Sequence, residues 1–114
     1  MHQVCRIDLR DGEADVEGLR ERVRMLADEL RSRFGASLVL LFGSLARGDV
    51  HEGSDIDLIV VGDIPGRFHE RPGQVLELTD LPVEPLCYTQ DEFDRMLADG
   101  NPFILTALEE GVPV

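Results

Sequence analysis

The stretch Leu38 to Val61, LVLLFGSLARGDVHEGSDIDLIVV, decides how the rest of the chain reads. Two apolar runs, Leu38 to Phe42 and Ile56 to Val61, enclose a polar insert that carries Gly43, Gly48 and Gly53 and ends in Asp55 and Asp57. Each run lacks polar/apolar alternation for most of its length, which suits strands covered on both faces. On such a strand, residues two apart share a face, so Asp55 and Asp57 are expected to project together with roughly 6.6 Å between Cα atoms. Ile56 and Leu58 then point the other way, into a core.

Two carboxylates this close repel each other, and the arrangement becomes favourable around an oxygen-preferring divalent cation such as Mg²⁺. Upstream, Gly43 permits close backbone approach, and Ser44 offers a hydroxyl and an amide where the strand meets a turn, a geometry suited to phosphate. Arg47 either adds positive charge at that end or pairs with Asp49 or Glu52. Ser54 is read as a turn or capping residue that could also contact a nucleotide. A phosphate cradle beside a metal-binding acid pair is the equipment for phosphoryl transfer from a nucleoside triphosphate.

Outward from this stretch, Val16, Leu19, Val23, Leu26, Ala27 and Leu30 recur at helical spacing, which predicts a helix over 15–33 with Asp15 as N-cap and Gly35 as its stop. Residues 62–73 hold three glycines and two prolines, and read as a loop. A short helix is expected over 74–80. Val83 to Tyr88 reads as a third strand, and Pro85, which has no N–H to donate, puts it at an edge or leaves it one unpaired side. Thr89 and Glu92 form a capping box for a helix over 90–99, and Asn101 with Pro102 opens another that runs to about Glu110 before Gly111. Val4, Ile7 and Leu9 hint at a short edge strand near the start. The fold class expected is α/β, a small mixed sheet flanked by helices, with residues 1–114 as one domain.

The formal net charge is −12, from 23 acidic residues against 11 arginines and no lysine. A chain this acidic is repelled by a phosphate backbone, so non-specific nucleic-acid binding is not expected. Small-molecule or protein partners are. Cys5 and Cys87 fit no metal or redox spacing and read as two reduced thiols. No apolar run has the length of a signal or membrane span, so a cytoplasmic protein is expected.

The pattern Gly43, Ser44, ten residues, Asp55, one residue, Asp57 is similar to the signature of the DNA polymerase beta-like nucleotidyltransferase superfamily. GSLARGDVHEGSDIDLIV resembles its minimal, single-domain branch, as do YTQDEF and NPFILTALEEGV. The resemblance implies that Gly43 and Ser44 hold a triphosphate and that Asp55 and Asp57 ligate two Mg²⁺ ions. It also implies a third acid on a neighbouring strand, a ligand and activator of the attacking hydroxyl. Glu84 stands there, where the family usually has aspartate. The implied reaction is attack by an acceptor hydroxyl on the α-phosphate, with release of pyrophosphate. The acceptor is expected on another molecule, since this branch is typically paired with a small helical HEPN-type protein, often as an antitoxin that nucleotidylates it. The alternative is a binding module that neutralises its partner by contact.

Overall fold

The computed structural model describes residues 13–43 and 56–114, and the expected strand near the start lies outside them. Helix α1 spans Glu13–Phe34 and is followed by β1, Leu38–Phe42, and β2, Ile56–Val61. A 3-10 turn at Phe68–Glu70 leads into α2, Arg71–Leu76, and then β3, Val83–Tyr88. Helices α3, Gln90–Ala98, and α4, Pro102–Glu110, precede a two-residue strand β4, Val112–Pro113.

The four strands form one sheet in the order β3-β2-β1-β4. Strand β1 pairs antiparallel with both β2 and β4, whereas β2 and β3 run parallel, so the sheet is mixed as expected. Among the described residues Pro85 sits on an edge strand, β3, hydrogen-bonded there only to β2, where a missing N–H leaves no ladder incomplete.

Both faces of the central strands are covered, which is why their sequences are apolar without alternation. On one face, Leu19, Val23, Leu26, Ala27 and Leu30 of α1 pack against Val39, Leu41, Ile56, Leu58 and Val60. On the other, Leu40, Ile59, Val61 and Tyr88 meet Phe93 of α3 and Ile104 and Ala107 of α4. Each large aliphatic buried this way contributes on the order of 2 kcal/mol from removal of its surface from water.

Three expectations are corrected. Helix α1 begins at Glu13, so Asp15 lies inside its first turn instead of capping it. The segment read as a loop over 62–73 is helical from Phe68, and the helix expected over 74–80 ends at Leu76. The cause is tertiary. Pro72 takes a first-turn position where it gives up no hydrogen bond, and Val75 and Arg71 are buried against the rest of the fold. The C-terminal punctuation agrees with its sequence: Thr89 Oγ1 accepts from Glu92 N and Thr89 N donates to Glu92 Oε1. Asn101 Oδ1 accepts from the amides of Phe103 and Ile104. Gly35, at φ 62°, ends α1.

Candidate functional site

Register places the acids. Asp57 pairs with Phe42 across the antiparallel ladder and with Glu84 across the parallel one, so Phe42, Asp57 and Glu84 form a row across β1, β2 and β3. In-register neighbours on adjacent strands stand about 4.8 Å apart and present side chains to the same face. That face is the one α3 and α4 cover further along the strands, through Ile59, Val61 and Tyr88. Within the row Phe42 and Asp57 are half-buried and Glu84 is exposed. Ile56 and Leu58 point to the opposite face and are fully buried beneath α1.

Gly43 follows β1 directly and adopts φ 79°, a left-handed conformation that glycine reaches without strain. A Cβ added there would fall onto Asp57 Oδ2 and stand 3.3 Å from Cγ. The backbone turning out of β1 therefore lies against the carboxylate, and only a residue with no side chain leaves the carboxylate its place. Phe42 is itself held by Phe103 of α4 in an edge-to-face pair, ring centroids 5.7 Å apart at 81°.

Of the residues singled out in the sequence, Gly43, Asp57 and Glu84 are brought together, while Ser44, Arg47, Ser54 and Asp55 lie outside the described residues. Among the described residues no group of three or more His, Cys, Asp or Glu side chains could hold a metal. The donor set nevertheless fits a hard cation: Asp57 and Glu84 are adjacent carboxylates, and Asp55, two residues before Asp57, completes the set in the sequence.

Beside the acids lies a cavity of about 390 Å³, walled by Phe42, Pro72, Leu76 and Leu86 with Asp57 and Glu84 along one side. The part played by α2 in this wall was not foreseen from the sequence. A second cavity of about 380 Å³ is lined by Phe68, Tyr88, Glu92, Arg95 and Met96. Tyr88 packs on Phe68 with 5.3 Å between ring centroids. Burial holds its hydroxyl above the ordinary phenol range, with the Glu92 carboxylate adding to the shift. Arg71, also missed, joins the two regions through Glu92, 2.7 Å away. Hydrogen bonds from Arg71, then from the Thr89 amide, hold the Glu92 carboxyl below the usual range.

The sequence profile of the "Nucleotidyltransferase domain" family matches residues 23–110, from the middle of α1 to the end of α4, and includes every site residue named above. The chain belongs to this nucleotidyltransferase family. A relative from Methanocaldococcus jannaschii, named "Putative protein adenylyltransferase", is 44% identical over 48 residues, 42% of this chain and 46% of the relative. The match thus spans about half the length of that curated relative. The crystal structure of "a putative nucleotidyltransferase from Sulfolobus solfataricus" superposes with a TM-score of 0.55 at 25% identity, covering 82% of this chain and 76% of that one. In this family member, then, the row Phe42–Asp57–Glu84 lies on the sheet of a fold shared with that crystal structure.

Proposed function

We propose that the protein transfers a nucleoside monophosphate, AMP from ATP, to a hydroxyl group of a partner protein in a Mg²⁺-dependent reaction. The observation that carries this is the placement of Asp57 between Gly43 and Glu84, a carboxylate with a side-chain-free backbone turn on one flank and a second carboxylate on the other. The choice of AMP and of a protein acceptor is supported by the name of the M. jannaschii relative. The row itself supports no particular base.

In this reading the Gly43–Ser44 backbone binds the triphosphate, while Asp55, Asp57 and Glu84 would hold the two Mg²⁺ ions. Bound cations would supply the positive charge that a chain of net charge −12 needs at a polyphosphate site. In the same reading Glu84, exposed on the edge strand, would take the proton of an arriving hydroxyl. The acceptor oxygen forms a bond to the α-phosphorus as the bond to the pyrophosphate oxygen breaks, and pyrophosphate leaves. The acceptor we propose is a small helical HEPN-type protein, with the chain acting as its antitoxin in the cytoplasm.

A second reading is favoured by α4, where Leu105 and Leu108 are exposed at 47% and 38%. There the chain would restrain its partner by contact through this apolar surface. Incubation of the chain with the product of its neighbouring gene, Mg²⁺ and ATP labelled at the α-phosphate tests both. Transfer should label the partner, and Asp55→Asn with Asp57→Asn should abolish the label. Neutralisation of the partner that survives the double substitution would refute the catalytic account of antitoxin action.

A further inference from the structure

We propose that Arg71 is a positioning residue: it fixes α2 as the wall of the cavity beside Asp57 and Glu84, and thereby sets what can approach the acids from the β3 side. The assignment of that cavity to the acceptor rests on the reading given under Proposed function. The claim that Arg71 shapes it does not.

Arg71 is the buried charged residue of the described part of the chain, at 8% exposure. Its Nε donates to the Gly66 carbonyl at 3.0 Å. One terminal nitrogen donates to the Cys87 carbonyl at 3.1 Å and to Glu92 Oε1 at 2.7 Å, and the other reaches Glu92 Oε2 at 3.5 Å. One guanidinium therefore ties the turn before α2, the end of β3 and the first turn of α3. Charge-assisted bonds from a planar fork hold direction as well as distance.

Helix α2 needs such an anchor. It has six residues, well below the length at which a helix holds itself in water, and Leu76 at its end is 45% exposed. Val75 secures one side by burial. Arg71 secures the start, and the residue after it, Pro72, lines the cavity together with Leu76 one turn later. The position of this wall is therefore fixed by the bonds that Arg71 makes at the start of the helix.

The direction of approach follows from the order of the strands. Gly43 adjoins Asp57 from β1, whereas Glu84 and the α2 wall lie on the β3 side. In an in-line displacement the attacking and leaving oxygens take opposite sides of phosphorus. With the triphosphate on the Gly43 side, the acceptor enters between Glu84 and α2.

The experiment uses the full chain and cyclohexanol, an uncharged alcohol, as a probe of the cavity, followed by methyl shifts of Leu76 and Leu86 in NMR titrations well below the melting temperature. Arg71→Ala should weaken probe binding by about tenfold, and Arg71→Lys, which keeps the charge and loses the fork, by an intermediate factor. Val23→Ala, in α1 on the opposite face of the sheet, should lower the melting temperature while leaving probe binding unchanged. In the labelling reaction, Arg71→Ala should raise KM for the acceptor with KM for ATP unchanged. Equal probe binding by Arg71→Ala and the wild type would overturn the proposal, as would absence of probe shifts at Leu76 and Leu86 in the wild type. A wild type that binds the probe but labels nothing would overturn the functional reading and leave the role of Arg71 standing on the titration.

Discussion

Gly43 and Asp57 meet as backbone against carboxylate: a methyl group on Gly43 would clash with Asp57 Oδ2, and the glycine holds φ at 79°. Gly43→Ala therefore meets two separate penalties, left-handed strain and displacement of the carboxylate. We expect a loss of about 1–3 kcal/mol in urea unfolding. Transfer activity should fall further than stability accounts for, because the displaced group is a proposed metal ligand. Activity per folded molecule equal to that of the wild type would contradict this.

The two described acids should differ in weight. Asp57→Asn removes a charge that is half-buried at the centre of the row, and label transfer should drop by about a hundredfold or more with little change in melting temperature. Glu84→Gln, at the exposed edge, should cost less, about tenfold, and its loss should be greatest where the acceptor hydroxyl most needs a base. Rates of labelling across pH for the two variants check this order.

Leu58 is fully buried on the face opposite Asp57. Leu58→Ala should destabilise the fold by about 2–5 kcal/mol through lost burial and the cavity left behind. A shift of the urea midpoint at unchanged m-value is the expected readout.

The Glu92 carboxyl lies below its ordinary value of 4.5, chiefly because Arg71 bonds to its charged form. The unfolded chain therefore takes up the proton at higher pH than the folded one. The stability this group supplies is present above about pH 4.5 and is lost as pH falls through the folded value. Glu92→Gln should lower stability at neutral pH and flatten the acid limb of a plot of urea midpoint against pH.

Burial pushes the Cys87 thiol up to about 11, against a smaller opposing pull from Arg71. In a Cys5→Ser background, Cys87 should resist alkylation at pH 8 while the protein is folded and react promptly in urea. Because the unfolded thiol ionises near 9 and the folded one near 11, stability should decline across that interval.

The residues that announced themselves in the sequence were those whose signal is local. The apolar runs of β1 and β2 reflect burial on both faces, α1 shows its stripe, and Thr89 with Glu92 marks a helix start that the hydrogen bonds reproduce. Segments shaped by distant contacts stayed hidden. Arg71, Pro72 and Gly73 read as loop because nothing nearby shows that the guanidinium is buried between Gly66, Cys87 and Glu92. Strand β4 was missed because two residues, Val112 and Pro113, carry no periodicity, and pairing with Leu40 and Leu41 alone defines it. Glu84 was singled out by its resemblance to the family pattern, but its register against Asp57 is a property of the sheet. Twenty-odd residues separate the two strands, and no spacing in them encodes a parallel pairing.

That register also constrains how genes for such a chain can drift. A residue gained between Asp57 and Leu58 would let Leu58 to Val61 keep their pairing while turning Asp57 under α1 and leaving the inserted residue in its place in the row. A change of length between Phe42 and Ile56 leaves the ladder pairs untouched. Insertions and deletions should therefore be purged from 56–61 among descendants of this sequence, whatever nucleotide or acceptor each descendant comes to use.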